Sequence, residues 1–437
     1  MQSILFAFIE LNRHYPKAGI IAANTIVIGS SVSNGGGASV RAAEIDRFDL
    51  IDGIAVSEPN VNPPPGEPLA IVQGDEPPFL GGGKPLYDYT TQLNIFQGCA
   101  NLAQPDAPLN TLPSFLNATR CTSLRAKGLL TSGGVAEQAS EAQAIINGYG
   151  FLPEQNIVQP SHWTSFAPQA VSVTYANTYA RASVLDNLCG YSFGATDPTG
   201  APIPLSPATE VLLFGTANGI PPTGGVNVIN NASPGGPKQN TLSVSPSTGT
   251  QDQNLDGALC LRSLWLGADP ATGAPLTGNL LQAHKRLRRS IESVVASADL
   301  NGTPAIVVAG RSDAILPPNH TFRPYYARNR QLERRGRLRY VEVTNAQHLD
   351  AFNALAGFDT RFVPLHYYLN QALDLVYAHL KGGKPLPPSQ VVHTTPRGGT
   401  AGSAPPISVA ANLPPISLSP APADRIRFSA NTLSIPE

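Results

Sequence analysis

The chain has 437 residues, with Lys+Arg 29 against Asp+Glu 30, a net charge of −1 and a charged fraction of 14%. That balance excludes an electrostatic grip on nucleic acid or on an anionic membrane as the basis of function, and the length admits either several domains or one α/β core with a large insertion. The four cysteines, Cys99, Cys121, Cys189 and Cys260, have no zinc-type spacing, so they predict one or two disulfides and an exported protein rather than a metal centre.

Residues 1–15 carry apolar positions at helical spacing (Ile4, Leu5, Phe8, Ile9, Leu11) with Glu10 among them, and have neither a basic leader nor a cleavage site. They predict an amphipathic helix rather than a signal peptide or a membrane span. Thr25 to Ile28 is a short apolar run of the buried-strand kind, followed by serines, three glycines and a helix-compatible stretch from Ala38 to Phe48. A second apolar run, Ile51 to Val56, ends at Glu58-Pro59. Helix, strand, Gly-rich turn, helix, strand is the rhythm of a parallel α/β sheet.

Residues 60–275 break that rhythm with proline- and glycine-rich runs such as "NVNPPPGEP" and "DPTGAPIPLSP", yet they hold all four cysteines, both tryptophans and helical patterns near 88–103, 134–147 and 168–188. This stretch is expected to be an inserted lid subdomain, because so long a loop without structure of its own is improbable in a compact protein. The basic run Lys285 to Arg289 falls in a helical pattern and reads as a solvated face. The sheet rhythm resumes over 276–382, with strands at 304–310 and 338–343 and a closing helix near 364–381. Residues 383–437 are rich in proline and glycine and are expected to wrap the surface, with "RIRFSANTLSI" as a late edge strand. The expected fold is therefore α/β: a mostly parallel, α/β-hydrolase-like sheet assembled from 1–59 and 276–382, a loop-rich and partly helical lid at 60–275, and a tail.

A strand that turns sharply into a helix on a serine is the nucleophile elbow of G-x-S-x-G enzymes, and the turn demands small residues two before and two after that serine. Ser33 has Ser31 before it and Gly35 after it, whereas Ser31 would have Ser33 after it. Ser33 fits better, in an S-x-S-x-G form. Read locally, a Gly-rich turn that caps a helix or binds an anion fits as well; a P-loop lysine and a GxGxxG are both absent. Catalysis is favoured by the order of two later residues. "PAIVVAGRSDAILPP" places Asp313 shortly past one strand and "LRYVEVTNAQHLDAF" places His348 past the next, giving Ser, Asp, His in the chain order of α/β-hydrolases. Asp350 is the second candidate for the acid, and His14, His284, His320, His366, His379 and His393 are read as non-catalytic.

Four stretches, "SSVSNGGGASVRAAE", "IDGIAVSEPNVN", "AGRSDAILPPNH" and "NAQHLDAFN", resemble the 3-hydroxybutyrate-oligomer hydrolases, and the similarity runs along the whole chain. The resemblance implies an exported serine esterase with Ser33 as nucleophile and Asp313 and His348 completing the relay, acting on a small-molecule ester, with no cofactor and with neither nucleic acid nor membrane as partner. In that reading the Asn34 backbone N–H donates to the oxyanion, and Trp163, His162 and Arg311, or Arg41 in place of Arg311, contact substrate. Family members are longer at the N-terminus, and only one helix and one strand precede Ser33 here. The chain is thus expected to be the carboxyl-terminal part of a longer enzyme, with 25–28 at an unpaired sheet edge. Two other readings share parts of the pattern: a feruloyl-esterase or tannase-like esterase, and a secreted binding protein that kept the elbow without catalysis.

Overall fold

The computed structural model describes residues 2–66, 68–208, 210–211, 226–333 and 336–437. In chain order the first strands are β1 (Ile28–Val32), β2 (Gly53–Ser57), β3 (Ala70–Gln73) and β4 (Phe79–Leu80). Then come β5 (Tyr191–Thr196), β6 (Pro202–Ile203), β7 (Asn227–Asn230) and β8 (Lys238–Gln239). The last are β9 (Ala305–Gly310), β10 (Leu338–Val343), β11 (Gln390–Val392), β12 (Arg427–Ser429) and β13 (Thr432–Ile435).

The chain divides into two compact units, Met1–Lys84 with Val295–Glu437, and Pro85–Val294. These boundaries differ from the expected breaks at 59/60 and 275/276. Residues 60–84 supply β3 and β4, and β3 pairs with β13 near the chain end, so they fold with the first unit. The helix Gly278–Ser293 buries Ala283, Leu287 and Ile291 in the core of the second unit, so it belongs there. Residues 383–437 do more than wrap the surface: they contribute β11, β12 and β13, with Leu413 and Ile416 in the core.

The first unit is built on a five-stranded sheet in the order β1-β2-β9-β10-β11, parallel throughout. β2 and β9 are buried along their whole length, which is what their continuous apolar sequences require of central parallel strands. Side chains alternate between the faces. Ile54, Val56, Ala305 and Val307 pack with Val40 and Ala43 of the helix Ser33–Glu44 and with Phe322 and Tyr325 of the helix Phe322–Leu332. Ala55, Ile306 and Val308 pack on the other face with Tyr368, Ala372 and Val376 of the helix His366–Gly382. A second sheet, β12-β13-β3-β4, closes over the first of these cores through Ile71, Leu433 and Ile435.

The strand expected at Thr25–Ile28 lies three residues later, at Ile28–Val32, so glycine and serine rather than the apolar run form it. Among the described strands β1 pairs only with β2, and residues 426–434 form a hairpin beside β3 instead of lying along β1. The helix Gln2–His14 forms as expected, with Ile4 against the core and Phe6 and Ile9 exposed.

The second unit is largely helical, with a small antiparallel sheet β6-β5-β7-β8. Its helices Leu86–Ala100, Val135–Gly148 and Ala167–Ala180 overlap the three expected stretches, the last ending at Ala180 rather than near 188. Both cysteine pairs are bridged, Cys99 to Cys121 with Cα atoms 4.8 Å apart and Cys189 to Cys260 with Cα atoms 5.6 Å apart. Closing loops of 22 and 71 residues removes unfolded-state entropy equivalent to about 3 and about 4 kcal/mol respectively. Equilibrium urea unfolding with and without a thiol reductant is expected to show a loss of several kcal/mol on reduction. An unchanged midpoint would mean that the bridges do not stabilise the unit. No helix among the described residues is long and apolar enough to cross a membrane.

Candidate active site

β1 ends at Val32, and the backbone turns at Ser33 with φ of 52°, in the left-handed region, before the helix Ser33–Glu44 begins. A non-glycine residue held there costs about 1–3 kcal/mol, so the surroundings must enforce it. They do so by close packing. A Cβ added at Gly35 would stand 2.1 Å from Ser31 Oγ, and one at Gly37 would stand 1.9 Å from the Asn60 carbonyl oxygen. Only glycine lets the helix start press against β1 and the loop after β2, and the Asn60 N–H closes the turn by donating to the Ser33 carbonyl at 2.9 Å. The small-residue pattern around Ser33 is therefore a packing requirement.

The loops after β9 and β10 are tied to each other. The Arg311 N–H donates to the Val343 carbonyl and the Ser312 N–H to the Ala346 carbonyl, at 2.9 and 3.0 Å. Asn345 takes a positive φ of 55°, which turns the chain back just before His348. His348 Nδ1 lies 2.8 Å from Asp313 Oδ2 and its Nε2 lies 3.1 Å from Ser33 Oγ. Asp313 Oδ1 accepts the N–H groups of Ile315 and Leu316 at 2.9 and 2.8 Å, which fixes the carboxylate in its own loop. Asp350 makes no such bond to His348. Its oxygens accept the N–H groups of Leu365 and His366 at the start of the helix His366–Gly382.

Burial alone would raise the pKa of Asp313, yet the His348 charge and the hydrogen bonds it accepts hold it below the ordinary aspartate value. Burial would favour neutral His348, but the Asp313 carboxylate, with Glu58 and Asp350 behind it, outweighs that and moves the ring above the ordinary histidine value. With Nδ1–H given to Asp313, Nε2 is left to accept the Ser33 proton. Such an arrangement can activate a hydroxyl as a nucleophile. Asn34 lies in the first turn of the helix, whose N–H groups point out of the helix start, and its side-chain oxygen accepts a hydrogen bond of 2.7 Å from Asn60 Nδ2.

The surroundings of the residues expected to contact substrate are these. Arg311 is buried with its Nε 2.7 Å from Glu342 Oε1 and its Nη2 2.6 Å from the Pro436 carbonyl, so it ties β10 to the chain end instead of meeting substrate. Trp163 is 0% exposed in the interior of the second unit, its indole N–H donating to Gln253 Oε1 at 2.7 Å and the Arg120 guanidinium 5.7 Å from its ring centre. An aromatic side chain with no accessible surface is core, not pocket wall. His162, on the short helix Gln159–Thr164, is buried in the same unit. Arg41 pairs with Glu44 at 2.6 Å. Among the described residues no group of three or more His, Cys, Asp or Glu is placed to hold a metal ion.

The sequence reading missed two groups at this end of the sheet. Glu58 directly follows β2, and His366 opens the helix that covers one face, with 3.2 Å between His366 Nε2 and Glu58 Oε1. A carboxylate at a strand end was visible in "SEPN"; nothing local marked the histidine 308 residues away.

The sequence model of the family 3HB-oligomer hydrolase (3HBOH) matches residues 1–437. The chain belongs to this family. Among relatives of the 3HB-oligomer hydrolases, a protein of Polaromonas naphthalenivorans named D-(-)-3-hydroxybutyrate oligomer hydrolase is 46% identical over 451 residues, covering 100% of the chain and 62% of the relative. Proteins of the same name from Paracidovorax citrulli and Ralstonia pickettii are each 44% identical, covering all of the chain and 63% and 60% of the respective relative. The chain thus spans about three fifths of the length of these family members. No solved structure matches it.

Proposed function

We propose that the chain carries the catalytic centre of an exported serine esterase that hydrolyses 3-hydroxybutyrate dimers and short oligomers to the monomer. The observation that carries this reading is the continuous line from Ser33 Oγ through His348 to Asp313, at 3.1 and 2.8 Å, drawn from three strand ends of one parallel sheet in a member of this family. The same order of strand ends supports an α/β-hydrolase-like architecture. Two disulfides support export.

In this reading His348 Nε2 takes the Ser33 proton as Oγ attacks the ester carbonyl, and Asp313 holds the ring in the tautomer that accepts and stabilises the imidazolium that forms. The carbonyl oxygen gains charge beside the helix start, where the Asn34 N–H contributes about 3 kcal/mol of barrier lowering. Protonated His348 then delivers its proton to the alkoxide oxygen of the departing 3-hydroxybutyrate unit as the acyl C–O bond breaks, leaving the other unit acylated on Ser33. Water, deprotonated by the same ring, attacks the acyl group, and the ring returns the proton to Ser33 Oγ as the acyl–Oγ bond breaks. The leaving group is an alcohol and the acyl group is released as a carboxylate. Nothing is oxidised or reduced.

The test is turnover of the soluble 3-hydroxybutyrate dimer measured beside aryl esters of hydroxycinnamic and gallic acids. The expected result is release of 3-hydroxybutyrate with a kcat/KM well above that for the aryl esters. Preference for the aryl esters would replace the substrate assignment by a feruloyl-esterase or tannase-like one, and no hydrolysis of any ester would leave only a binding role.

A further inference from the structure

β1 and β2 pair in the register Val32 to Ser57, which brings Glu58 alongside Ser33 at the end of the sheet. Glu58 is 2% exposed and holds a φ of +33°. That is left-handed backbone, strained for a side chain of this kind and kept only where the surroundings enforce it. Its N–H donates to the Val308 carbonyl at 2.8 Å, and its Oε2 accepts the Ser57 hydroxyl. Oε1 faces His366 Nε2 at 3.2 Å, while His366 Nδ1 faces Asp350 Oδ2 at 3.5 Å. Asp350 lies two residues past His348. One imidazole therefore joins a carboxylate beside the nucleophile to a carboxylate in the loop of the general base.

A ring with a carboxylate oxygen at each nitrogen is favoured in the doubly protonated, cationic form. The Glu58 hydrogen bond, helped by Asp350, raises the His366 pKa above the ordinary histidine value against the opposing effects of partial burial and of His348. The charged groups acting on His348 are Asp313, Glu58 and Asp350, and those acting on His366 are Glu58, Asp350 and, in opposition, His348. Asp313 touches His348 directly, and Glu58 and Asp350 act on it without a hydrogen bond.

We propose that Glu58, His366 and Asp350 form a second acid–histidine–acid line whose positioning residues set the protonation of His348: the two carboxylates favour the His348 imidazolium, and the His366 cation opposes them. The proposal rests on His348 being the general base of ester hydrolysis. His348 works as a base only when neutral, so the rate falls as pH drops through its pKa. Replacing His366 by a neutral residue leaves two carboxylates uncompensated and raises that pKa. Replacing Glu58 by glutamine removes one of the two carboxylates that favour the His348 imidazolium, so the His348 pKa falls.

The experiment is the pH profile of kcat/KM for the 3-hydroxybutyrate dimer in the wild-type protein, His366→Gln and Glu58→Gln. The acid limb is expected to move up by roughly half a pH unit or more in His366→Gln and down by a similar amount in Glu58→Gln, as loss of a nearby charge of each sign requires. A limb that stays in place in both variants, or moves in the same direction in both, would overturn the line, whatever happens to the maximal rate. Histidine-ring NMR titration of the unmodified protein provides a reading that needs neither a variant nor a substrate. There the expected result is a His348 curve with two steps, one of them coincident with the titration of His366; two independent single-step curves would equally overturn the proposal. Absence of dimer hydrolysis, by contrast, would count against the proposed function alone.

Discussion

Ser33→Ala is expected to lower ester hydrolysis by on the order of 10⁴- to 10⁶-fold, the loss seen when the nucleophile of such a relay is removed. The fold should survive, because the hydroxyl's one described bond is to His348 and alanine meets the same backbone demand at φ of 52°. The urea midpoint is expected to stay within about 0.5 kcal/mol of the parent in free energy. Ser31→Ala is the matched control: Ser31 lies against Gly35 and has no part in the line to His348, so its loss should leave turnover within a few-fold. Full activity in Ser33→Ala, or collapse of activity in Ser31→Ala alone, would move the nucleophile by two residues.

The second large effect concerns Glu342, fully buried on β10 with Arg311 at 2.7 Å, Arg323 at 2.7 Å and the Tyr340 hydroxyl donating to it at 2.7 Å. Arg323 also donates to Gln73 Oε1 on β3, so this carboxylate joins the two sheets under the loop that carries Asp313. Glu342→Ala leaves two buried arginines without their counter-charge and is expected to destabilise the protein by about 3–5 kcal/mol. Burial alone would raise the Glu342 pKa, but Arg323 and Arg311 outweigh it and hold the group down at about 2. A depressed carboxyl pKa stabilises the fold above the unfolded-state value of about 4.3, and that contribution is lost as pH falls from there toward about 2. The acid unfolding of the parent should therefore steepen below about pH 4, whereas Glu342→Ala should lack that portion of the dependence. Chemical denaturation at stepped pH measures both, and equal pH slopes in parent and variant would rule out this role for Glu342.

The parts of this architecture that were legible in the sequence are those governed by local physics. Apolar continuity marked β2, β9 and β10, and helical periodicity marked the closing helix and three helices of the second unit. Local spacing also picked out Ser33, because small residues around a left-handed serine are a steric necessity within one turn. The placement of β1 was less legible. Its strand is Ile-Gly-Ser-Ser-Val instead of the apolar run before it, because it is Ile28 to Val32 that pair in register with Gly53 to Ser57 of β2. That pairing depends on a partner strand the sequence does not name.

Other features were illegible for the same reason. Arg311 looked available to a substrate carboxylate until β10 placed Glu342 against it, and Trp163 looked like a pocket residue until the fold sealed it around Gln253 and Arg120. The tail composition predicted surface wrapping, whereas three residues, Gln390 to Val392, complete the main sheet. Four cysteines admit three pairings, and only proximity selects one. Glu58 and His366 are 308 residues apart, a distance over which residue type and spacing carry no information about contact.

Whether His348 makes Ser33 nucleophilic is measured most directly by stoichiometric labelling with an alkyl fluorophosphonate, followed by peptide mass mapping, in the unmodified protein and in His348→Ala. The expected result is one label per chain on Ser33, formed rapidly in the parent and slowed by at least about a thousand-fold in the variant. A label on any other residue, or labelling of Ser33 at the same rate without His348, would contradict the assignment.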